Sequence, residues 1–175
     1  MLEAKIKAAI RDVKDFPKEG ILFKDITPVL EDARLCSEII DEFVRKFADT
    51  KLNAIVGVES RGFLFGMMLA NKLGVPFIPV RKKGKLPYKT ISHKYDLEYG
   101  SAEVEMHLDS IKSGWHVLVH DDLLATGGTA GAAAELIQKQ GASVAGFAFL
   151  VGLNFLNGED KIASYSKNIV SLVTY

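Results

Sequence analysis

Two adjacent carboxylates followed by a turn of small residues form the strongest chemical signal in this sequence. Asp121 and Asp122 end an apolar run, and the turn after them reads ATGGT over residues 125–129. In such a turn, backbone N–H groups, threonine hydroxyls and the positive end of a following helix can converge on one phosphate group. The two glycines permit a tight turn and the close approach of an anion. The stretch therefore predicts a phosphate site beside a pair of carboxylates.

The ligand that this turn suggests is a phosphate monoester on a sugar. The stretch is not a P-loop, because no Gly-Lys-Ser/Thr follows at the required spacing, and the GxGxxG pattern of dinucleotide sites is absent. Without a lysine to hold a triphosphate, a monophosphate ester fits better. Asp121 and Asp122 suit ribose hydroxyls, directly or through a divalent ion. A plain turn capped by Thr129 would account for Gly-Gly-Thr alone, but it explains the whole string poorly.

Two further segments carry groups suited to phosphate oxygens. The stretch ESRGFLFG at 59–66 follows a predicted strand, and its arginine offers a planar fork of donors at the edge where ligands bind in open α/β folds. The segment 79–94 contains six bases and no acid. Taken separately, the first could be a surface arginine beside a capping serine, and the second a solvated face or a nucleic-acid patch. The interleaved Gly84 and Pro87 favour a flexible lid instead.

The elements that must position these groups follow from hydrophobic periodicity and from turn residues. Helices are predicted over 2–14, 33–48, 62–73 and 129–140, and buried strands over 53–58, 77–80, 115–119 and 144–151, with an edge strand at 169–173. Continuous apolar strands that alternate with helices imply a parallel sheet of about five strands, flanked by helices on both faces. The stretch from Phe16 to Pro28 is predicted to be a shaped loop, and the polar segment 81–106 a small hood with a flexible lid.

Length and composition set the broad class. The chain has 175 residues, 22 Lys+Arg against 22 Asp+Glu, and 48% hydrophobic residues, which predicts one globular domain over 1–175. Neutral net charge argues against a dedicated nucleic-acid binder. Cys36, the single cysteine, cannot form an intrachain disulfide, and no signal peptide or membrane segment is visible. We therefore expect a cytoplasmic protein that engages neither nucleic acid nor membrane.

The string from Val117 to Thr129 closely resembles the phosphoribosyl-diphosphate loop of the type I phosphoribosyltransferases. Three more segments (59–66, RKKGKLP at 81–87 and YDLEYG at 95–100) narrow the resemblance to the members that act on adenine. The resemblance implies the α/β fold of that family and the purine-salvage reaction of adenine with 5-phosphoribosyl diphosphate, which gives AMP and pyrophosphate. It also implies Mg²⁺ held mainly through the substrate, with no direct protein ligand, and a homodimer.

The resemblance also implies roles for individual residues. Ribose 5-phosphate binding is implied for Asp121, Asp122, Ala125, Thr126, Gly127, Gly128 and Thr129. Pyrophosphate binding is implied for Ser60, Arg61, Arg81, Lys82 and Lys85, partly from a neighbouring subunit, and adenine binding for Leu22, Phe23 and Lys24. Catalytic roles are implied for Glu98, Arg61 and Tyr99. A non-proline cis peptide is expected in the loop of Ser60.

Two of these roles have a physical basis and a plainer alternative. Phe23 can stack on adenine, an interaction worth roughly 1–3 kcal/mol; the alternative is that Phe23 is a core residue. Backbone groups at Leu22 and Lys24 would form hydrogen bonds with the edge of the adenine ring. Glu98 can hold or donate the proton at purine N7 if burial raises its pKa. A solvent-facing strand position is the alternative for Glu98.

Departures from the family pattern leave alternatives open. Lys24 stands where relatives often have arginine, Glu59 where some have aspartate, and His120 where an apolar residue is usual. We expect His120 to be buried and neutral, although it could titrate beside the carboxylates. The competing functions are transfer to xanthine, hypoxanthine or guanine, and, more remotely, a non-enzymatic regulator that senses phosphoribosyl diphosphate.

Overall fold

A computed structural model describes residues 1–97 and 99–175. The helices are α1 (Leu2–Ala9), α2 (Thr27–Leu30), α3 (Ala33–Lys46), α4 (Gly62–Leu73), α5 (Gly128–Lys139) and α6 (Gly158–Ile162). The strands are β1 (Arg11–Lys14), β2 (Leu22–Asp25), β3 (Ala54–Val58), β4 (Phe77–Lys82), β5 (Thr90–Asp96), β6 (Ser101–His107), β7 (His116–Leu124), β8 (Ser143–Gly152) and β9 (Ile169–Thr174).

Five parallel strands form the centre of the molecule, as the sequence predicted. They lie in the order β4-β3-β7-β8-β9. Successive residues of a strand face opposite sides of the sheet, so Ile55 packs with α3 and α4 on one face while Val56 packs with α5 on the other. Both faces of the sheet are therefore covered by helices, which confirms the predicted fold class.

Helix bounds near the candidate site agree closely with the sequence. α4 spans Gly62–Leu73 and ends at Gly74, which has the left-handed φ of 66° that suits a glycine C-cap. α5 begins at Gly128, one residue before the predicted start. β7 is longer than predicted, because its pairing with β8 continues through Asp121 to Leu124. The two carboxylates therefore lie within the strand and not after it.

The N-terminal predictions were wrong in part. The helix predicted over 2–14 ends at Ala9, and Ile10 already has extended backbone. The residues after it form β1, which pairs antiparallel with β2, and the predicted loop from Phe16 to Pro28 contains β2 and the start of α2. Helical spacing of apolar residues continued past Ala9, but pairing with a distant strand overrode that local signal.

The segment 81–106 contains regular structure that its polar composition concealed. β5 and β6 form an antiparallel hairpin, and β6 also pairs with β4, so the hairpin extends the parallel sheet at one edge. Val104 and Met106 face the core. Glu105 is also buried, and its carboxylate accepts the N–H groups of Gly84 and Leu86, each at 3.0 Å. The basic segment before β5 is thereby attached to the hairpin.

The longest helix in the described part of the chain, α3, has 14 residues, and none of the described helices combines the length and apolar character needed to cross a bilayer.

Candidate active site

The candidate site lies where the carboxyl ends of two neighbouring parallel strands meet. β3 and β7 pair in register, with Gly57 opposite His120. The turn after β3 carries Ser60 and Arg61, and the turn after β7 carries residues 125–127. Both turns therefore emerge at the same edge of the sheet, which is where ligands bind in open α/β folds.

The turn after β7 is shaped to hold a small anion. Gly127 has a φ of 83°, and a Cβ there would lie 2.7 Å from the carbonyl oxygen of Gly158, so this position requires glycine. Residues 125–129 and Asp121 line a cavity of about 80 Å³ at the N-terminus of α5. Backbone N–H groups at this end of the helix have no intrahelical acceptors, so they can bind a phosphate group.

The two carboxylates have different surroundings. Asp121 lines the cavity, and its Oδ1 accepts the N–H of Asp122 at 2.8 Å. Burial is the main cause that raises the pKa of Asp121 well above its usual value, and the negative charge of Asp122 is the second cause. Asp122 is almost fully buried, and its Oδ2 lies 2.9 Å from Nε of Arg61 in an ion pair that is not aligned as a hydrogen bond.

Arg61 connects this carboxylate with the proposed adenine residues. Its guanidinium carbon lies 5.2 Å from the ring centroid of Phe23, within cation–π range. Phe23 is half-buried and makes an edge contact with Phe16 at 5.0 Å. Arg61 therefore lies between Phe23 on β2 and Asp122 on β7. Asp122 comes shortly before the turn at residues 125–129, which we call the phosphate turn.

Among the described residues, β2 pairs with a strand along one edge only, that of β1. Leu22 and Lys24 are two residues apart, so their backbone groups share an orientation. The Lys24 side chain is buried, lies 2.6 Å from Asp12 and contacts the ring of Tyr175 at 3.8 Å. A ligand beside β2 would therefore not meet the ammonium group of Lys24, which contacts Asp12 and Tyr175 instead.

The cations predicted for pyrophosphate gather around Glu59. Its carboxylate lies 3.3 Å from Nη2 of Arg81 and 3.1 Å from Nζ of Lys85, and it accepts the N–H of Lys82 at 2.8 Å. Burial opposes ionisation of Glu59, but these three partners outweigh it and lower its pKa to about 2. The Glu59–Ser60 peptide bond is cis, as expected. Glu59 therefore organises the basic segment next to Arg61.

Three other predicted residues lie apart from these contacts or outside the described residues. Glu98, the predicted proton donor, lies outside the described residues. Its neighbour Tyr99 is 83% exposed. His120 is completely buried against Phe43, and burial lowers its pKa to about 4, which agrees with the neutral histidine that the sequence favoured.

Two residues near the phosphate turn were not assigned from the sequence. The hydroxyl of Tyr95 lies 3.1 Å from Oγ1 of Thr129. Lys161, from α6, places Nζ 3.7 Å from where a Cβ on Gly128 would be. Tyr95 belongs to a segment that the sequence had singled out, whereas nothing in the sequence connects Lys161 with a turn more than thirty residues away.

Comparison with known proteins identifies the class. A family model described as the phosphoribosyl transferase domain matches residues 25–173. An adenine phosphoribosyltransferase of Cytophaga hutchinsonii is 48% identical over 175 residues, which cover 100% of this chain and 97% of that protein.

Two solved structures extend the comparison. The adenine phosphoribosyltransferase of Thermoanaerobacter pseudethanolicus matches with a TM-score of 0.96 and 47% identity, covering 100% of both chains. The Saccharomyces cerevisiae enzyme, complexed with an imino-altritol bisphosphate and adenine, matches with a TM-score of 0.90 and 39% identity, covering 98% of both chains. The chain belongs to the adenine phosphoribosyltransferase family.

Proposed function

We propose that this protein transfers the 5-phosphoribosyl group from 5-phosphoribosyl diphosphate to adenine, giving AMP and pyrophosphate in purine salvage. The observation that carries this proposal is the position of Arg61 between Phe23 and Asp122, because it joins an aromatic platform to a phosphate turn. A base stacked on Phe23 and a ribose phosphate in the turn would then be neighbours. The adenine-bound yeast relative supports adenine as the base.

Each proposed role follows from the charge and position of the group. Residues 125–129 would bind the 5-phosphate, and Asp121 and Asp122 the ribose hydroxyls. Ser60, Arg61, Arg81, Lys82 and Lys85 would bind the leaving pyrophosphate. Charge that develops on this leaving group is stabilised by cations held in place beforehand. Glu59 pairs with two of these cations, Arg81 and Lys85, and also accepts the backbone N–H of Lys82.

Magnesium would fit this donor set as a companion of the substrate. Among the described residues, no group of three or more His, Cys, Asp or Glu side chains could hold a metal ion. Mg²⁺ usually keeps several waters and binds substrate phosphates, so the substrate would hold it mainly, and Asp121 and Asp122 could contact the ribose hydroxyls through such an ion. When bound, the ion would neutralise negative charge on the diphosphate.

We assign proton transfer to the residues that follow β5 and water exclusion to the whole segment 81–106. We propose that Glu98 holds or donates the proton at purine N7 and that Tyr99 lies near the reacting atoms. Residues 81–106 would act as the hood and lid that exclude water from the sugar donor. The chain as a whole, 1–175, would act as one domain, and its cytoplasmic location stays a prediction.

We further propose that the protein is a homodimer. α4 exposes three large apolar side chains, Leu64 (44%), Met67 (53%) and Met68 (40%). A second copy that covers this face would remove apolar surface from water. Through such a pairing, cations of the basic segment could reach the pyrophosphate of the neighbouring subunit.

The experiment that tests the function measures steady-state transfer to adenine, hypoxanthine, guanine and xanthine, with and without Mg²⁺. We expect adenine to be preferred and the rate to depend on Mg²⁺. A preference for an oxopurine would assign the protein to another purine substrate, and no transfer to any purine would favour a sensor of phosphoribosyl diphosphate. Phe155→Leu is a suitable control, since Phe155 is exposed on the turn before α6.

A further inference from the structure

Tyr95 contacts the phosphate turn from a separate element. It lies on β5, one residue before the end of that strand, and its half-buried ring packs against the core on the α5 side of the sheet. Two ring carbons lie 3.6 Å from where a Cβ on Gly128 would be, so the ring covers the first residue of α5. Its hydroxyl lies 3.1 Å from Oγ1 of Thr129.

The direction of this hydrogen bond depends on what Thr129 binds. A threonine hydroxyl has one hydrogen to donate and can accept two others, and a tyrosine hydroxyl can also do both. A fully ionised phosphate ester offers only acceptor oxygens. If Thr129 gives its hydrogen to such a phosphate, it can interact with Tyr95 only by accepting the phenolic hydrogen. Donation along such a chain strengthens each bond in it.

We propose that Tyr95 is a positioning residue that strengthens 5-phosphate binding through Thr129 and thereby links the occupied phosphate turn to the β5–β6 hairpin. The proposal rests on the phosphate role assigned to residues 125–129 above. Tyr95 does not itself touch the phosphate group; it donates to the Thr129 hydroxyl that does. In the sequence, Tyr95 immediately precedes Asp96, the last residue of β5, so phosphate binding and the position of this end of the hairpin become connected.

A second contact attaches β5 to the other end of α5. At the opposite end of α5, Lys139 Nζ lies 3.0 Å from Nδ1 of His93, also on β5. The hairpin is therefore attached to both ends of one helix. Of these two attachments, the Tyr95 hydrogen bond is the one that involves a residue of the phosphate turn, so it is the one that can respond directly to a bound phosphate group.

The test replaces Tyr95 by phenylalanine, which keeps the ring over Gly128 and removes the hydroxyl. Loss of one hydrogen bond is expected to raise the KM for phosphoribosyl diphosphate and the Kd for ribose 5-phosphate about 3- to 10-fold, with the KM for adenine unchanged. Calorimetry with ribose 5-phosphate measures the Kd without catalysis. An unchanged Kd, or an equal rise in the KM for adenine, would overturn the proposal.

A double-mutant cycle with Thr129→Val separates action through Thr129 from a direct effect. In the Thr129→Val background, Tyr95→Phe should cause no further loss of ribose 5-phosphate affinity. A loss of the same size in both backgrounds would show that Tyr95 acts independently of Thr129, against the proposal.

Tyr165→Phe is the matched control, because Tyr165 also donates its hydroxyl to α5, to Glu135 at 2.6 Å, outside the phosphate turn. It should leave both constants unchanged; an effect like that of Tyr95→Phe would mean that general loosening of α5 is responsible. Failure of the protein to use adenine would overturn the proposed purine but not this inference. Failure of the unmodified protein to bind ribose 5-phosphate would overturn the inference itself.

Discussion

At the residue scale, Arg61 has two partners with different proposed functions. It forms an ion pair with the buried Asp122 and lies over the ring of Phe23. A diphosphate bound beside Arg61 would compete with Asp122 for the guanidinium group, so occupation of one part of the site changes the electrostatic surroundings of the other. This makes Asp122 and Phe23 the most informative positions for substitution.

We expect Asp122→Asn to lower kcat/KM for phosphoribosyl diphosphate about 100-fold. The amide keeps the shape of the side chain but loses the negative charge that pairs with Arg61 and that would accept the ribose hydroxyls; a hydrogen bond to a charged group is worth about 1.5–3 kcal/mol. Steady-state kinetics with Asp160→Asn, an exposed acid on α6, as the control would measure this. Unchanged kinetics would remove the carboxylate pair from the proposed role.

Phe23→Leu should raise the KM for adenine about 10-fold or more, because a leucine cannot replace aromatic stacking worth roughly 1–3 kcal/mol. The KM for phosphoribosyl diphosphate should change less. Initial-rate measurements in which each substrate is varied in turn would test this. If both constants rise equally, Phe23 supports the site by packing and does not bind the base.

His120 gives a prediction about stability and pH. Burial lowers its folded-state pKa to about 4, whereas the unfolded value is about 6.5. The neutral form is favoured by folding, so this contribution to stability is complete above pH 6.5 and is lost as the pH falls toward 4. At pH 5 the loss is about 2 kcal/mol relative to pH 8.

Urea unfolding of the original protein and of His120→Leu at both pH values tests this expectation. The substitution also removes two buried ring nitrogens that have no well-aligned hydrogen-bond partner among the described residues, so the variant should fold at least as stably at pH 5. Equal losses of stability in both proteins between pH 8 and pH 5 would show that His120 does not titrate on unfolding.

At the element scale, the β5–β6 hairpin organises the basic segment that precedes it. Lys83 lies 2.7 Å from Glu103 on β6, and the buried Glu105 accepts two backbone N–H groups of the segment and the Thr90 hydroxyl. Both acids lie on β6. The buried Glu105 holds the basic segment against the sheet, whereas Glu103 and Lys83 form a more exposed pair.

Glu105→Gln should loosen this segment without unfolding the sheet. The amide is neutral, and hydrogen bonds to a charged acceptor are worth about 1.5–3 kcal/mol, so amide exchange at Gly84 and Leu86 should accelerate about 10-fold or more. Hydrogen-exchange mass spectrometry would measure the change. Glu103→Gln is the control: it should affect these two amides little, and an equal acceleration would contradict the role assigned to Glu105.

At the scale of the whole molecule, the exposed apolar side chains of α4 predict association with a second copy. A charge at the centre of a covered apolar face is expensive to bury, so Met67→Glu should convert a dimer into a monomer. Analytical ultracentrifugation would measure this, with Leu108→Glu as a control, since Leu108 is also exposed but lies after β6. A monomeric original protein, or dissociation by both substitutions, would contradict the proposed interface.

The sequence by itself determined the features that depend on neighbouring residues. Apolar runs predicted the parallel strands, Gly74 marked the end of α4, and the Gly-Gly-Thr turn after two carboxylates predicted a phosphate site at the start of α5. Periodicity and turn chemistry act over a few residues, so they can be read along the chain. The same local patterns did not reveal β1 at Arg11–Lys14 or the strands β5 and β6 within 81–106, where pairing with other strands decides the structure.

Only the tertiary structure decided which charged and polar groups meet. The ion pair of Arg61 with Asp122, the cations around Glu59 and the hydrogen bond of Tyr95 with Thr129 each join residues more than twenty positions apart. These contacts depend on strand order and on which turns emerge at the same edge of the sheet. Local sequence patterns carry no direct record of that order, because it results from how the whole chain buries its apolar faces.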